Sequence, residues 1–108
     1  MAHTPERLVK KKVVAELKKL GAYYFYPVTG GWGASGVPDI IACYNGHFVG
    51  IECKAGKNKP TDLQKKNLRA IYEAGGTALV INEENIADVT AVLTNQKERA
   101  NGCESTSD

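Results

Sequence analysis

An Asn-Gly dipeptide between two apolar segments constrains the fold of this chain more than any other feature. Asn45-Gly46 separates the segments 40–44 and 47–53, both rich in β-branched, aromatic and other apolar residues. An Asn-Gly loop favours a type I′ turn, because both central residues of that turn need positive φ. We therefore predict a β-hairpin with a two-residue loop.

The predicted register brings two carboxylates together. With that loop, Asp39 stands opposite Glu52, and directly opposed side chains have Cβ atoms about 4.5–5.5 Å apart. Lys54 follows Glu52 by two positions, so strand alternation returns it to the same face. Opposed like charges destabilise a sheet, whereas a divalent cation between them would be ligated, as Mg²⁺ is by one or two carboxylates. We therefore predict metal ligation by Asp39 and Glu52.

A plainer interpretation is an edge hairpin whose three charges simply face water. Two neighbours argue against it: Gly50, on the same face, is expected to leave an opening, and Ile41 beside it is apolar. In the metal interpretation, the Lys54 ammonium would stabilise charge on a scissile phosphate, or orient or deprotonate the attacking water. A bulge in the hairpin would break this register.

The surrounding sequence predicts the order helix, strand, hairpin, helix, strand, helix. Thr4-Pro5 has the pattern of a helix start and Gly21 of its end. The aromatic segment 22–28 predicts a first strand, whose aromatic side chains we expect mainly in or beside the core rather than stacking on bases. The segment 61–64 has capping-box spacing, and Gly75-Gly76 would end that helix. Together these elements form an α/β fold with a mixed sheet packed between helices.

Several buried faces follow from periodicity. The first helix should bury Val9, Val13, Leu17 and Leu20, and the second Leu68, Ile71, Tyr72 and Gly75. The nearly continuous apolar run 77–81 predicts a strand buried on both faces. The segment 82–85 is expected to open a last helix carrying Ile86, Val89, Val92 and Leu93.

The order of the charged residues resembles a known nuclease pattern. Pro38-Asp39 followed by Glu52-Cys53-Lys54 is similar to the PD…(D/E)xK motif of restriction-endonuclease-like nucleases. The longer set, which adds Ser-Gly-Val before Pro38, Ala-Gly after Lys54, and the later Thr-Asp-Leu-Gln and Gly-Gly, resembles the VRR-NUC branch, including its small stand-alone phage members. The resemblance covers residues 5–83.

This resemblance implies a restriction-endonuclease-like core, with element order α-β-β-β-α-β-α, and a Mg²⁺- or Mn²⁺-dependent endodeoxyribonuclease. Asp39 and Glu52 would hold the metal, with the Cys53 carbonyl as an additional ligand, and Lys54 would assist hydrolysis to a 5′-phosphate. Further expectations are a preference for branched or junction DNA, a homodimer, and, if the chain is phage-encoded, the cytoplasm of a bacterial host.

Two other polar residues each have two interpretations. Glu6 either interacts with the dipole of the first helix or, as the resemblance implies, is a third acid near the metal; Glu16 is the weaker candidate for that role. Gln64 either caps the Thr61 backbone N–H, or positions water or a ligand at the active site as the resemblance implies, and we favour the second. Glu6 and Gln64 therefore join the predicted catalytic residues.

Basic residues concentrate in two segments. Residues 6–19 carry six Lys or Arg against two Glu, and residues 54–69 carry six against one Asp, whereas acids predominate from residue 83 onward. Such segments beside a metal site suit a polyanion, although solvated helix faces would have the same composition. We predict nucleic-acid contacts at Lys10, Lys57 and Lys59.

The glycine-rich segment 31–36 matches GxGxxG, but Val-Pro-Asp follows it instead of a helix, so a dinucleotide site is rejected. A loop of this composition can bring backbone N–H groups close to phosphates. Gly33 and Ser35 are therefore predicted nucleic-acid contacts, with a plain connecting loop as the alternative.

Composition sets the remaining limits. The 108 residues suit one domain, predicted over 1–95 with a polar, disordered tail over 96–108. No apolar run approaches a membrane span and no signal-peptide pattern is present. Three cysteines without metal-ligand spacing suggest neither disulfides nor zinc, and cytosolic location is the expectation. Two rivals to a nuclease remain: a DNA- or RNA-binding module without turnover, such as a junction-binding subunit, and a small-molecule phosphoesterase, which the basic segments disfavour.

Overall fold

The computed structural model describes residues 4–28 and 36–96. Its elements follow the predicted order: α1 (Pro5–Leu20), β1 (Tyr23–Phe25), β2 (Ile40–Tyr44), β3 (His47–Cys53), α2 (Asp62–Glu73), β4 (Thr77–Ile81) and α3 (Asp88–Asn95). The α/β fold class is confirmed, and the architecture is compatible with a restriction-endonuclease-like core. Gly33, Ser35 and the tail beyond residue 96 lie outside the described residues, so the predictions made for them stay predictions.

The sheet is mixed and has the strand order β1-β2-β3-β4. β1 and β2 pair antiparallel, β2 and β3 form the hairpin, and β3 and β4 run parallel. The hairpin has the predicted register from Tyr44 opposite His47 to Ile40 opposite Ile51. Asn45 at φ 52° and Gly46 at φ 80° supply the two positive φ angles. The prediction from the Asn-Gly dipeptide is therefore confirmed.

The two faces of the sheet are covered by different helices. One face packs against α1 and α3, and its core contains these residues: Val9, Val13, Val14, Leu17, Ile40, Ala42, Val49, Ile51, Cys53, Ile81, Val89 and Leu93. The other face, on which strand alternation places Glu52, is covered in part by α2.

Gly50 does not leave the opening that the sequence suggested. A Cβ built on it would lie 2.5 Å from Ile71 Cδ1 of α2 and 3.2 Å from Pro38 Cγ. The glycine therefore lets α2 approach the sheet closely, and side chains already fill the space.

The boundaries of α1 are those that its capping residues predict. The Thr4 side chain accepts a hydrogen bond from the Arg7 N–H at 3.1 Å. At the other end Gly21 has φ 75°, and its N–H donates to the last carbonyls of the helix. The caps fix where α1 begins and ends. The packing of α1 against the sheet then determines which of its side chains reach the end of β3.

The burial predicted for α2 and β4 is wrong in part. Tyr72 of α2 is 72% exposed, because Leu68 and Ile71 make the contact with the sheet and Tyr72 lies to one side. β4 is an edge strand that α2 covers only partly, and Val80 is 40% exposed. A continuous apolar run does not by itself show how much of each face a neighbouring helix will cover.

β1 is shorter than predicted, and most of its aromatic side chains face outward. Tyr24 packs against the core, whereas Tyr23 is 71%, Phe25 46% and Tyr26 48% exposed. The expectation that these side chains lie in or beside the core is met by Tyr24 but not by Tyr23, because β1 is the edge strand farthest from α2.

α3 begins later than predicted. The Asn82 side chain accepts from the Glu84 N–H at 2.8 Å, and the Asn85 side chain accepts from the Asn82 N–H at 2.7 Å. These local side-chain hydrogen bonds compete with helix formation, so the helix starts only at Asp88. Among residues 4–28 and 36–96, none of the helices has the length and hydropathy that a membrane span requires.

Candidate active site

Three acidic side chains from distant parts of the chain converge at the end of the hairpin. Glu6 comes from the first turn of α1, Asp39 precedes β2, and Glu52 lies in β3. One carboxylate oxygen of each lies within 4.8 Å of those of the other two. The pair predicted from the hairpin register is therefore brought together, and Glu6 joins it, which the sequence had left open.

Asp39 is held by the backbone of β3. β2 begins one residue later, at Ile40, and the Cys53 N–H donates to Asp39 Oδ2 at 2.8 Å. The Asp39 carboxylate thus accepts the hydrogen bond that a backbone carbonyl of β2 would accept if the hairpin pairing continued beyond Ile40 and Ile51. The N–H and C=O of one strand residue point to the same edge, so the Cys53 carbonyl also faces the side on which Asp39 lies.

Glu52 is the most unusual residue of the site. The residue is 1% exposed, and its Oε1 atom has no hydrogen-bond partner among the described residues. Burial and, next, the nearby Asp39 charge together raise the pKa of Glu52 to about 7, even though Lys54 acts in the opposite direction. A buried acceptor without a partner costs about 1–3 kcal/mol, and more if it is charged. Glu52 is thus poorly placed for the stability of the metal-free chain.

Lys54 is the cation of the site. Its Nζ lies 3.4 Å from Glu52 Oε2 and 3.8 Å from Glu6 Oε2. The side chain is only 13% exposed, and its backbone N–H donates to the Ile81 carbonyl at 2.9 Å. One ammonium thus pairs with two of the three carboxylates, and the cluster keeps an excess of negative charge whenever all three are ionised.

The donor set fits a hard divalent cation. Three carboxylates and a carbonyl on one side are the oxygen ligands that Mg²⁺ and Mn²⁺ accept. The unpartnered Glu52 Oε1 is the observation that favours such an ion, because ligation would satisfy the atom. The Cys53 sulfur does not belong to this set: burial raises the pKa of its thiol to about 12, so the group stays protonated.

Two other predicted or considered residues serve local structure. Gln64 Oε1 accepts from the Thr61 N–H at 2.8 Å, and Thr61 Oγ1 accepts from the Gln64 N–H at 3.2 Å. Gln64 therefore completes the capping box of α2, the interpretation that we did not favour, and within the described residues no hydrogen bond or ion pair joins it to the acidic cluster. Glu16 accepts from Thr90 Oγ1 at 2.5 Å and pairs with Lys19 at 3.3 Å, so it ties α1 to α3 instead.

A basic cleft of about 820 Å³ leads to the carboxylates. Its lining contains Glu6 and Asp39 together with four cationic residues, Arg7, Lys10, Lys11 and Lys18. Of these only Lys10 was predicted from the sequence. The signal that would have found the others is helical spacing, since positions 7, 10, 11, 14 and 18 share one face of α1.

Among the described residues, the other two predicted nucleic-acid contacts do not line this cleft. Lys57 and Lys59 are exposed in the loop after β3. Glu83 fixes that loop, because its carboxylate accepts from the Gly56 N–H at 2.9 and 3.1 Å. The two lysines therefore stand near the end of β3 on a tethered segment.

Comparison with known proteins gives one informative relative. No family model matches the chain. A protein of Acyrthosiphon pisum secondary endosymbiont phage 1, which bears the name "Putative nuclease p44", is 29% identical over 85 residues, covering 78% of this chain and 89% of the relative. The similarity thus extends over nearly the whole length of the phage protein.

Proposed function

We propose that this chain is a divalent-metal-dependent endodeoxyribonuclease of the VRR-NUC type, which hydrolyses phosphodiester bonds. The observation that carries the proposal is the buried Glu52 carboxylate, with one oxygen unpartnered, in a group of three acids beside Lys54. The phage relative named as a nuclease supports the same activity, and so does the PD…(D/E)xK pattern in the sequence.

In this mechanism Glu6, Asp39 and Glu52 would hold Mg²⁺ or Mn²⁺, with the Cys53 carbonyl as a further ligand. The ion would supply charge stabilisation at the scissile phosphate and a lowered pKa for the attacking water. Lys54 stands within reach of the same space, where its ammonium orients the water or neutralises the charge that develops on the phosphate. The Cys53 N–H keeps Asp39 aimed at the site through its 2.8 Å hydrogen bond.

Cleavage of supercoiled plasmid and labelled oligonucleotides tests the activity. We expect nicking or linearisation with Mg²⁺ or Mn²⁺, none with EDTA, and a 5′-phosphate at the cut. Glu52→Gln and Lys54→Ala should each lower the rate by about 10²–10⁴-fold, the usual range for losing a positioned acid–base or charge-stabilising group. Glu84→Gln, which changes an exposed acid outside the cluster, is the matched control.

The competing function is a nucleic-acid-binding module without turnover, for which the basic cleft alone would suffice. The two are separated by the same assay: metal-independent binding with no cleavage in any divalent cation identifies the module. A module has no need for a buried, unpartnered glutamate, so Glu52→Gln would leave its binding unchanged.

We further propose that the enzyme acts on branched DNA as a homodimer, as the resemblance implies, because two sites are needed to cut two strands. A panel of linear, flapped and four-way substrates tests the first point by product mapping. Light scattering tests the second: a monomer at working concentration would contradict the dimer and weaken the junction-cleaving form of the proposal.

A further inference from the structure

We propose that one face of α1 binds the phosphate backbone of one strand of the nucleic-acid substrate. The phosphates that it binds would lie on one side of the scissile phosphate. The face is the basic stripe, defined as Arg7, Lys10, Lys11 and Lys18. The proposal that the stripe binds phosphates rests on its charges and on its position in the cleft. Its relation to a cut rests on the proposed nuclease function.

The stripe is a continuous surface along the helix. Its four cations line the same cleft as Val14, which fills the gap in their spacing. Val13 and Leu17 point away from it into the core. The remaining lysines of α1, Lys12 and Lys19, are exposed but do not line the cleft.

The cations of the stripe are not neutralised by the protein. In the described part of the chain, ion pairs involve Lys19, Lys54 and Arg69, and none joins a stripe residue to an acid. The acids that line the cleft are Glu6 and Asp39, which stand at the site itself. Unpaired cations that line a cleft together attract a polyanion more strongly than cations that are already paired with acids.

Lys10 is also held in place. Its Nζ lies 5.7 Å from the centroid of the Tyr26 ring, and Tyr26 itself packs edge-on against Tyr24, with ring centroids 6.1 Å apart. Tyr26 also lines the cleft. This aromatic support keeps the ammonium of Lys10 in the cleft, so less side-chain freedom is lost when a phosphate binds.

The length of the stripe gives its reach. Arg7 and Lys18 are eleven positions apart, which is about 17 Å along a helix at 1.5 Å per residue. Successive phosphates of one strand advance about 3.4 Å along a duplex, so the stripe spans about five of them. Glu6 marks one end of this span, so the phosphates bound by the stripe lie on one side of the scissile phosphate.

Binding without cleavage tests the stripe directly. Fluorescence anisotropy of a labelled DNA duplex in EDTA, at about 0.15 M salt where distant surface charges are screened, would compare Lys11→Ala/Lys18→Ala with Lys12→Ala/Lys19→Ala. The two double variants remove equal charge from the same helix at the same spacing, and alanine preserves the helix. We expect the Kd of the stripe variant to be at least tenfold higher than that of wild type, and the Kd of the control variant to change less than twofold.

The salt dependence of binding gives a second readout. Loss of two phosphate contacts should reduce the slope of log K against log salt by about 1.8 in the stripe variant only. Equal affinities and equal slopes for the two double variants would overturn the proposal. If wild type binds through the stripe but cuts nothing with Mn²⁺, the nuclease function fails and the stripe stands.

Cleavage interference tests the one-sided footprint. Neutral methylphosphonate linkages would replace up to five phosphates on one side of the cleavage point at a time. We expect slower cleavage when they lie on the side that the stripe binds, and little change on the other side. Equal inhibition from both sides, with the stripe variant behaving like its control, would contradict the placement.

Discussion

At the scale of single residues, the site is a set of charges that the metal-free fold does not satisfy. Glu52 is buried, and one of its oxygens has no hydrogen-bond partner in the part of the chain that the structure describes; its neighbour is another carboxylate, and Lys54 offsets only part of the charge. Residues selected only for stability would not be arranged in this way, since buried charges need full pairing. We therefore expect the stability of the protein to depend on pH and on divalent metal through these residues.

The first prediction concerns the pH dependence of stability without metal. Glu52 has a folded-state pKa of about 7, above its ordinary value of 4.5, so the folded chain binds more protons than the unfolded chain between these values. Its contribution to the free energy of unfolding is therefore greatest at low pH and falls as pH rises through this window, by roughly 3 kcal/mol.

Urea unfolding in EDTA at pH 5.5 and pH 8 measures this effect. Glu52→Gln should remove most of the difference and be more stable than wild type at pH 8, whereas Glu84→Gln should follow wild type. If the stability of Glu52→Gln depends on pH as that of wild type does, the burial of this carboxylate is not the cause of the pH dependence, and the prediction is contradicted.

The second prediction concerns metal and stability together. Because ligation needs the deprotonated carboxylate, Mn²⁺ should raise the Tm of wild type more at pH 8 than at pH 5.5. Differential scanning fluorimetry with and without the ion measures the shift. In Asp39→Asn the shift should be lost at both pH values, and a wild-type shift that survives this substitution would place the ion elsewhere.

Sequence reasoning at this scale succeeded where geometry was local. The two-residue turn fixes the hairpin register, so the proximity of Asp39 and Glu52 follows directly. Glu6 remained ambiguous because its distance from the hairpin depends on how α1 packs. Gln64 was assigned to the active site although its capping-box spacing already explained it, and the hydrogen bonds at Thr61 show that local interaction.

At the scale of elements, the site depends on how closely α2 approaches the segment before β2. Gly36 has φ +81°, and a Cβ there would lie 2.7 Å from both the carbonyl carbon and oxygen of Leu63 in α2. Gly36 precedes Asp39 by three residues, so displacement of this contact would also move the carboxylate. The glycine is thus required by both the backbone conformation and the packing.

The third prediction tests this contact. Gly36→Ala should reduce the free energy of unfolding by more than Gly21→Ala, and should also lower cleavage activity. Gly21 has a similar φ of +75° but nothing within 4 Å of an added Cβ, so it has only the left-handed backbone cost of about 1–2 kcal/mol. Chemical denaturation compares the variants, and equal losses would show that the Leu63 contact is not tight.

Element boundaries were predictable where side chains cap them, as at Thr4 and Gly21. Burial was less predictable, because periodicity shows which residues share a face but not what covers it. Tyr72 and Val80 are exposed for this reason. The start of α3 was missed because the side chains of Asn82 and Asn85 form turns that favour another local conformation.

At the scale of the whole molecule, a mixed sheet between α1 and α3 on one side and α2 on the other brings three chain segments to one end. The start of α1, the approach to β2 and the end of β3 contribute one carboxylate each. The basic cleft opens onto the same end. The fold order was predictable from the sequence, but the cleft was not, because it arises only when α1 and the segment after β1 face each other.

The central claim is that Glu6, Asp39 and Glu52 together hold a catalytic divalent ion beside Lys54. Anomalous diffraction at the manganese edge, from crystals soaked in Mn²⁺, tests it most directly. The account predicts a peak between the carboxylates of Asp39 and Glu52 that disappears in Glu52→Gln crystals soaked in the same way. A preparation that cleaves DNA with Mn²⁺ but shows no peak there, or shows one only elsewhere, would contradict it.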